Sequence, residues 1–345
     1  MRLLVTGGAG FIGSSFVRRR LAGTDDEIVV LDKLTYAGNR QNLAECEAQP
    51  QLASRFRFVL GDICDVPLVQ GLVADADAVI NFAAESHVDR SIMDAEAFLR
   101  TGVIGVHTLL EAVRRATDGR GPRFLQVSTD EVYGDKPDGV SREGDALRPR
   151  SPYASAKAAG ELLVHSYHVT HGIDALVTRG SNTYGPYQHP EKVIPLFITN
   201  ALDEQPLPLY GDGRQERDWL FVDDHADAIG FVLDRGVVGE IYNICGTGQL
   251  PNREVTARIL SLVDRPWSLV RTVPDRPGHD VRYAMDGTLL EQLGWRPSVT
   301  FDDGLARTVA WFRDNTDWWR KAKSGDWLDY YESQYAWRLA NSADA

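Results

Sequence analysis

At 345 residues the chain exceeds one minimal domain and suits one large unit or two closely joined ones. Its composition, 43% hydrophobic and 25% charged, is that of an ordinary globular protein, and a net charge of −12 argues against nucleic acid and against an anionic membrane surface as partners. No segment approaches ~18 consecutive apolar residues, no charged-then-apolar leader precedes the first strand, and Cys46, Cys64 and Cys245 form no Cys-x-x-Cys or Cys/His cluster, so a cytoplasmic protein with reduced thiols and no metal site is expected.

Apolar runs over 3–5, 28–31, 56–60, 78–82, 124–127 and 175–177 predict buried parallel strands, and the intervening stretches 12–21, 103–115 and 153–171 predict helices. This alternation implies an α/β fold, a Rossmann-type doubly wound parallel sheet, whose right-handed crossovers line the strand C-termini along one ligand-binding edge. After about residue 180 the pattern changes. Pro186, Pro190, Pro195, Pro206 and Pro208 punctuate a loop-rich stretch with one clear helix near 195–202. A helix over 224–234 and a returning strand over 240–244 follow, then helices and loops to 340. The expected division is a dinucleotide-binding unit of 1–180 with a returning segment at about 225–248, a smaller discontinuous unit of 181–224 and 249–330, and a tail of 331–345 that frays over 341–345.

Gly7, Gly10 and Gly13 form G-x-x-G-x-x-G between the first strand and first helix, with Phe11 and Ile12 opening that helix. Glycine permits the tight turn and lets backbone N–H groups approach a pyrophosphate. Asp32 ends the second strand where a ribose-binding acid belongs. Its charge favours NAD over NADP, and Lys33 softens the repulsion of a 2′-phosphate. Asp62 and Ile63 are placed to flank an adenine. Phe82, Ala83 and Ala84 end the fourth strand, where small residues allow close approach by a cofactor or serve packing alone.

Tyr153 and Lys157, four apart, share one helical face behind a Ser151-Pro152 cap. A tyrosine acting as base near neutrality needs a shift of ~3 pKa units, about 4 kcal/mol; a nearby ammonium and a positively charged nicotinamide both push that way. Thr129 ends the fifth strand, and Asp130 and Glu131 follow it. A simple alcohol oxidation needs no adjacent carboxyl pair. A dehydration does, because one group takes a carbon-bound proton while another protonates the departing hydroxide. Adjacent residues on a strand point to opposite faces, so both serve one ligand only if the strand breaks here. A capping Asp beside a solvated Glu is the alternative.

With these motifs the chain resembles the nucleotide-sugar 4,6-dehydratases of the extended short-chain dehydrogenase/reductase family, from residue 1 to about 320. The similarity rests on the segments 32–39 (DKLTYAGN), 84–91 (AESHVDRS), 128–134 (STDEVYG), Pro190-Glu191-Lys192, Gly211-Asp212-Gly213 and Arg217-Asp218-Trp219. It implies NAD-dependent dehydration of a nucleotide sugar, with dTDP-glucose the expected substrate. Tyr153 takes the C4 hydroxyl proton as C4 is oxidised, Glu131 removes the C5 proton, Asp130 protonates the departing C6 hydroxyl, and reduction at C6 completes a 4-keto-6-deoxy sugar with no net consumption of NAD. It also implies cofactor contacts at Thr35, Thr101, Asn182 and Thr183. Substrate contacts are implied at Ser86, Thr129, Asp130, Glu131, Asn182, Glu191, Lys192, Pro208, Leu209, Tyr210, Asn252, Arg276 and His279, with Arg217 gripping the diphosphate; on its own Arg217 reads as a surface ion-pair partner. The family typically dimerises through two helices per subunit, matched here by 103–115 and 153–171.

Thr183 stands where the family usually has Asn, in Ser181-Asn182-Thr183-Tyr184-Gly185-Pro186, and a backbone contact to the cofactor there preserves activity. Other readings remain: a 4,6-dehydratase of another nucleotide sugar, a 4-epimerase or decarboxylase of the same fold, or a non-catalytic dinucleotide-sensing protein. Epimerases generally lack the Asp-Glu pair, which makes Asp130-Glu131 the discriminator.

Overall fold

The computed structural model describes residues 1–116 and 121–344. Thirteen strands are present among them: β1 (Arg2–Thr6), β2 (Glu27–Asp32), β3 (Phe56–Leu60), β4 (Ala78–Asn81), β5 (Arg123–Thr129), β6 (Ala175–Gly180), β7 (Asn182–Tyr184), β8 (Leu207–Tyr210), β9 (Glu216–Phe221), β10 (Ile241–Ile244), β11 (Gln249–Pro251), β12 (Val270–Val273) and β13 (Ala343–Asp344). Seven form one fully parallel sheet in the order β3-β2-β1-β4-β5-β6-β10. The order reverses between β1 and β4, and there the strand ends open a crevice.

Side-chain alternation explains why both faces of this sheet are covered. Val5, Val30, Ile80 and Leu125 pack into one core with Phe16 and Ile229, while their neighbours Leu4, Leu31, Val79 and Phe124 pack into another with Leu109 and Val164. All the predicted strands of the first unit are present, including the returning β10, and each predicted helix forms. The helix expected from 103 begins as a π-helical stretch, Arg100–Gly105, before Val106–Arg115.

The second unit departs from expectation in its strands. Instead of one helix amid loops, residues 181–221 contain β7, β8 and β9 besides the helix Val193–Leu202, and β12 lies in the stretch read as helices and loops. β7, β9 and β11 form one small sheet, and β8, β12 and β13 another. Each of these strands pairs with a partner distant in sequence, which a short window cannot register. The C-terminus is also better ordered than predicted. Helix Asp326–Ala340 runs through the expected tail boundary and buries Trp327 and Tyr335 in an aromatic core with Trp318 and Trp319. The frayed end is a correction: Ala343 and Asp344 pair with Thr272 and Arg271, because β12 leaves an open edge beside them. Ala345 lies outside the described residues.

Candidate functional site

The glycine loop connects β1 to helix Phe11–Gly23. Gly7 has φ +70°, and a Cβ there would lie 2.5 Å from the Ala83 nitrogen; one on Gly13 would lie 2.4 Å from the Gly7 carbonyl oxygen. Only hydrogen fits at either place. The helix has no side-chain N-cap and no acid in its first turn, which leaves its leading amides available to an anion.

Asp32 folds back onto this loop. Its carboxylate accepts from the Ala9 amide at 2.9 Å and the Leu34 amide at 2.8 Å, which oppose the upward pKa push of burial. Lys33 is held among acidic and hydroxyl groups. Its ammonium lies 3.4 Å from Glu85 and 3.8 Å from Asp62, and donates to Thr101 at 3.3 Å. These two carboxylates share its charge with Asp32, whose pKa it also lowers.

One cleft runs from this loop along the sheet edge. Its walls include every residue predicted to bind cofactor, from Gly7 to Thr183, together with Thr129, Asp130, Glu131, Ser86 and Lys192. Ser128 Oγ, Asp130 Oδ2, Asn182 Oδ1 and His225 Nε2 line it, buried and without a protein hydrogen-bond partner. A polar ligand with hydroxyl and amide groups would satisfy such atoms, and the uncapped helix end suits its phosphates, so the residues present fit a dinucleotide.

The carboxyl pair meets the geometric condition set by the sequence. β5 ends at Thr129, and the 3-10 turn Asp130–Tyr133 replaces strand alternation, so both carboxyl groups reach one cleft. Thr129 Oγ1 donates to Asp130 Oδ1 at 3.1 Å and accepts from the Glu131 amide at 3.3 Å. Burial, reinforced by the Glu131 charge, pushes Asp130 up to about 8, so it holds a proton at neutral pH. Burial raises Glu131 too, while Lys192, Arg276 and Arg217 pull it back toward the carboxylate.

Tyr153 and Lys157 lie on helix Pro152–His171, capped by Ser151 as predicted. The expected easing of Tyr153 toward phenolate is absent. Burial and the Glu131 and Asp130 charges raise its pKa, with only its hydrogen bond to Thr129 opposing. Lys157 is turned to the Val127 carbonyl at 2.6 Å, and burial lowers it to about 8. The protein's own groups therefore favour the phenol form of Tyr153.

The remaining predicted substrate positions do not line this cleft. They form an adjoining polar network. Arg217 is buried and donates to the carbonyls of Glu216 at 2.8 Å, Val281 at 3.3 Å and Asp280 at 2.8 Å, with its guanidinium over the Tyr283 ring. Arg276 pairs with Asp89 at 2.8 Å, and His279 with Asp275 at 2.6 Å. Tyr210 donates to Asp89 at 3.0 Å. Asn252 keeps a buried, unpartnered Oδ1. Glu191 is locked on Arg90, which lies between the Tyr36 and Tyr330 rings, and Lys192 donates to the Ser86 carbonyl at 2.5 Å. Pro208 is buried beside Leu209, whose side chain packs in the second core and offers a ligand only its backbone.

Sequence reading missed His225, His189 and Gln188 in the cleft wall. His225 arrives from the returning segment, held by Thr183 Oγ1 at 2.7 Å with its ring against Gly180. No local motif marks it; the β7–β9 pairing, which sets Tyr184 opposite Phe221, brings the helix start that carries it beside Thr183.

The family model for GDP-mannose 4,6 dehydratase matches residues 4–308. The chain belongs to this family. Among its relatives, a dTDP-glucose 4,6-dehydratase of Streptomyces niveus is 52% identical over 332 residues, covering 94% of this chain and 97% of the relative. A dTDP-glucose 4,6-dehydratase crystal structure from Streptomyces venezuelae with NAD bound aligns at a TM-score of 0.90, 53% identity, 94% of this chain and 100% of that one. A UDP-glucose 4-epimerase of Thermus thermophilus in complex with NAD aligns at 0.82 with 32% identity, covering 91% and 100%. The dehydratase family thus shares its fold with epimerases.

Proposed function

We propose that this protein converts dTDP-glucose to dTDP-4-keto-6-deoxyglucose with catalytic NAD, as a hydro-lyase of deoxysugar biosynthesis. The observation that carries the reading is the Asp130-Glu131 pair turned into the same cleft as Tyr153 and Lys157; identity near 50% to dTDP-glucose dehydratases supports the nucleotide.

The glycine loop, Asp32 and the residues from Asp62 to Thr101 would hold the dinucleotide. Bound NAD supplies a hydride acceptor for C4 and a donor for C6. Thr129 orients the sugar hydroxyl and Tyr153, and Tyr153 receives the C4 hydroxyl proton. The 4-ketone acidifies C5–H. Glu131, whose burial is countered by the charges of Lys192, Arg276 and Arg217, takes that proton, Asp130, which holds a proton at neutral pH, gives its own to the C6 hydroxyl as water departs, and C5 is reprotonated once C6 has been reduced. Arg217, Arg276, Asn252, His279, Tyr210 and Lys192 are the groups proposed to grip the nucleotide and diphosphate, and Arg217 and Arg276 exchange their present partners for phosphate oxygens.

The unit of 1–180 with 225–248 is assigned to the cofactor, and that of 181–224 with 249–330 to the nucleotide sugar. Assembly as a homodimer is supported by Ile104, Leu162 and Val169, 53%, 60% and 68% exposed on or beside the two predicted interface helices. A cytoplasmic location fits a nucleotide-sugar substrate, and among the described residues no helix is long and apolar enough to cross a membrane.

Mass spectrometry after incubation with dTDP-, UDP- and GDP-linked hexoses tests the assignment. Loss of one water from dTDP-glucose in preference to the others is expected. An unchanged mass with dTDP-glucose, or loss of water only from another nucleotide's hexose, would overturn it.

A further inference from the structure

Tyr133 does not line the cleft, yet it closes the turn that carries Asp130 and Glu131. It is buried, and its hydroxyl donates to Asn243 Oδ1 at 2.8 Å while accepting from Arg179 Nη1 at 2.7 Å. Arg179, on β6, lies over the Tyr133 ring at 4.7 Å. The same guanidinium grips Glu161 through Nε at 2.9 Å and Nη2 at 2.6 Å, and donates to the Glu143 carbonyl at 3.0 Å. Arg179 and Glu161 are each 3% exposed. Glu161 stands four residues after Lys157 and eight after Tyr153, on one stripe of helix Pro152–His171.

We infer that Tyr133, Arg179 and Glu161 form a positioning relay that sets the acid–base turn at a fixed distance from the Tyr153/Lys157 helix. The inference rests on the dehydratase reading. One guanidinium joins the two halves of the site: its Glu161 side is fixed to the helix that performs oxidation, and its Tyr133 side to the turn that performs elimination. The remaining restraints on the turn are the Thr129 hydroxyl, bonded to Asp130 at 3.1 Å and to the Glu131 amide at 3.3 Å, the buried Val132 side chain, and two backbone bonds, Gly134 N–H to Glu131 at 3.2 Å and Arg148 N–H to Val132 at 3.0 Å. Thr129 fixes the start of this four-residue turn and the Tyr133 hydroxyl fixes its end, so the turn loosens from that end when the hydroxyl goes, whereas a 20-residue helix does not. Thr129, inside the β5–β6 ladder, also keeps its place. Loss of the Tyr133 hydroxyl should therefore misplace Asp130 and Glu131 while sparing C4 oxidation. Displacements near 1 Å cost roughly 100-fold in rate.

The test is Tyr133→Phe with NAD and dTDP-glucose, beside the parent and Arg179→Lys, which keeps the charge but loses the fork. For Tyr133→Phe we expect C4 oxidation within about 3-fold of the parent, elimination slowed roughly 10- to 100-fold, reduced nicotinamide accumulating on the enzyme, and an unchanged KM. Hydrogen exchange at the Gly134 and Arg148 amides should quicken without substrate. Arg179→Lys should show the same selective pattern, which also serves if Tyr133→Phe does not fold. Parent-like turnover, equal loss of both steps, or unchanged amide exchange in the folded variant would overturn the relay while leaving the dehydratase reading intact. A parent that forms no keto sugar from dTDP-glucose would overturn both.

Discussion

Asp130 and Glu131 differ by one methylene and one position, and their surroundings separate their roles. Burial raises both; Lys192, Arg276 and Arg217 counter it at Glu131, whereas at Asp130 the Glu131 charge adds to it and Thr129 and Arg217 offset it only in part. Glu131→Gln should oxidise C4 and then stall, with reduced cofactor building up; normal turnover would remove Glu131 from the base role. Asp130 keeps its proton in the fold up to about 8, whereas an unfolded aspartic acid loses it near ~4. Across that window the unfolded state binds fewer protons, so stability falls as pH rises, and the cost is complete above about 8. Asp130→Asn should therefore stabilise the protein at neutral pH by on the order of a few kcal/mol, with the gain vanishing in acid, while abolishing elimination. Thermal melts from pH ~4 to ~8.5 check the sign; a neutral-pH loss of stability would contradict it. Turnover should also decline on the alkaline side as Asp130 deprotonates. Arg217→Ala should raise KM more than it lowers kcat, since its proposed contact is to a non-reacting part of the substrate. An unchanged KM would leave Arg217 as only the clasp of the 280–281 backbone.

At the level of elements, the glycine turn was legible because its spacing and its strand-to-helix context both constrain the backbone. Gly13→Ala should force the loop apart, since the new Cβ meets the Gly7 carbonyl oxygen at 2.4 Å. We expect NAD affinity to fall ~10-fold or more and stability by ~1–3 kcal/mol, measured by calorimetry and denaturant melts; wild-type affinity would show that the loop yields freely. The central strands were legible because burial on both faces writes them as continuous apolar runs. β7, β9 and β11 were not, since they are three to six residues long and read as polar loop. The site divides the same way. Thr129 to Lys157 could be read locally, but the Lys33 clamp, the Arg179 relay and His225 depend on partners brought together by the sheet.

Across the whole molecule, the C-terminal helices tie segments far apart in the chain together. Gln334 donates to Asp89 at 2.9 Å, and Asp89 in turn holds Arg276. Trp318, in the preceding helix, donates to Asn42 at 3.0 Å, and Asn42 supports the Ala9 carbonyl of the glycine loop at 3.0 Å. Ending the chain after residue 330 should therefore do more than trim a tail. It exposes the aromatic core and takes Gln334 from Asp89, the partner of Arg276, and we expect a lower melting temperature with weakened substrate binding; parent-like behaviour would show that the helix only covers.

Elimination depends on proton removal from C5, and one measurement addresses that step directly. The enzyme is incubated with dTDP-glucose in heavy water and the sugar followed by NMR. A 4-keto-6-deoxy product carrying deuterium at C5 is predicted. A product that keeps its C5 proton, or a galacto sugar without loss of water, would contradict the assignment of Glu131 and Asp130 as an elimination pair.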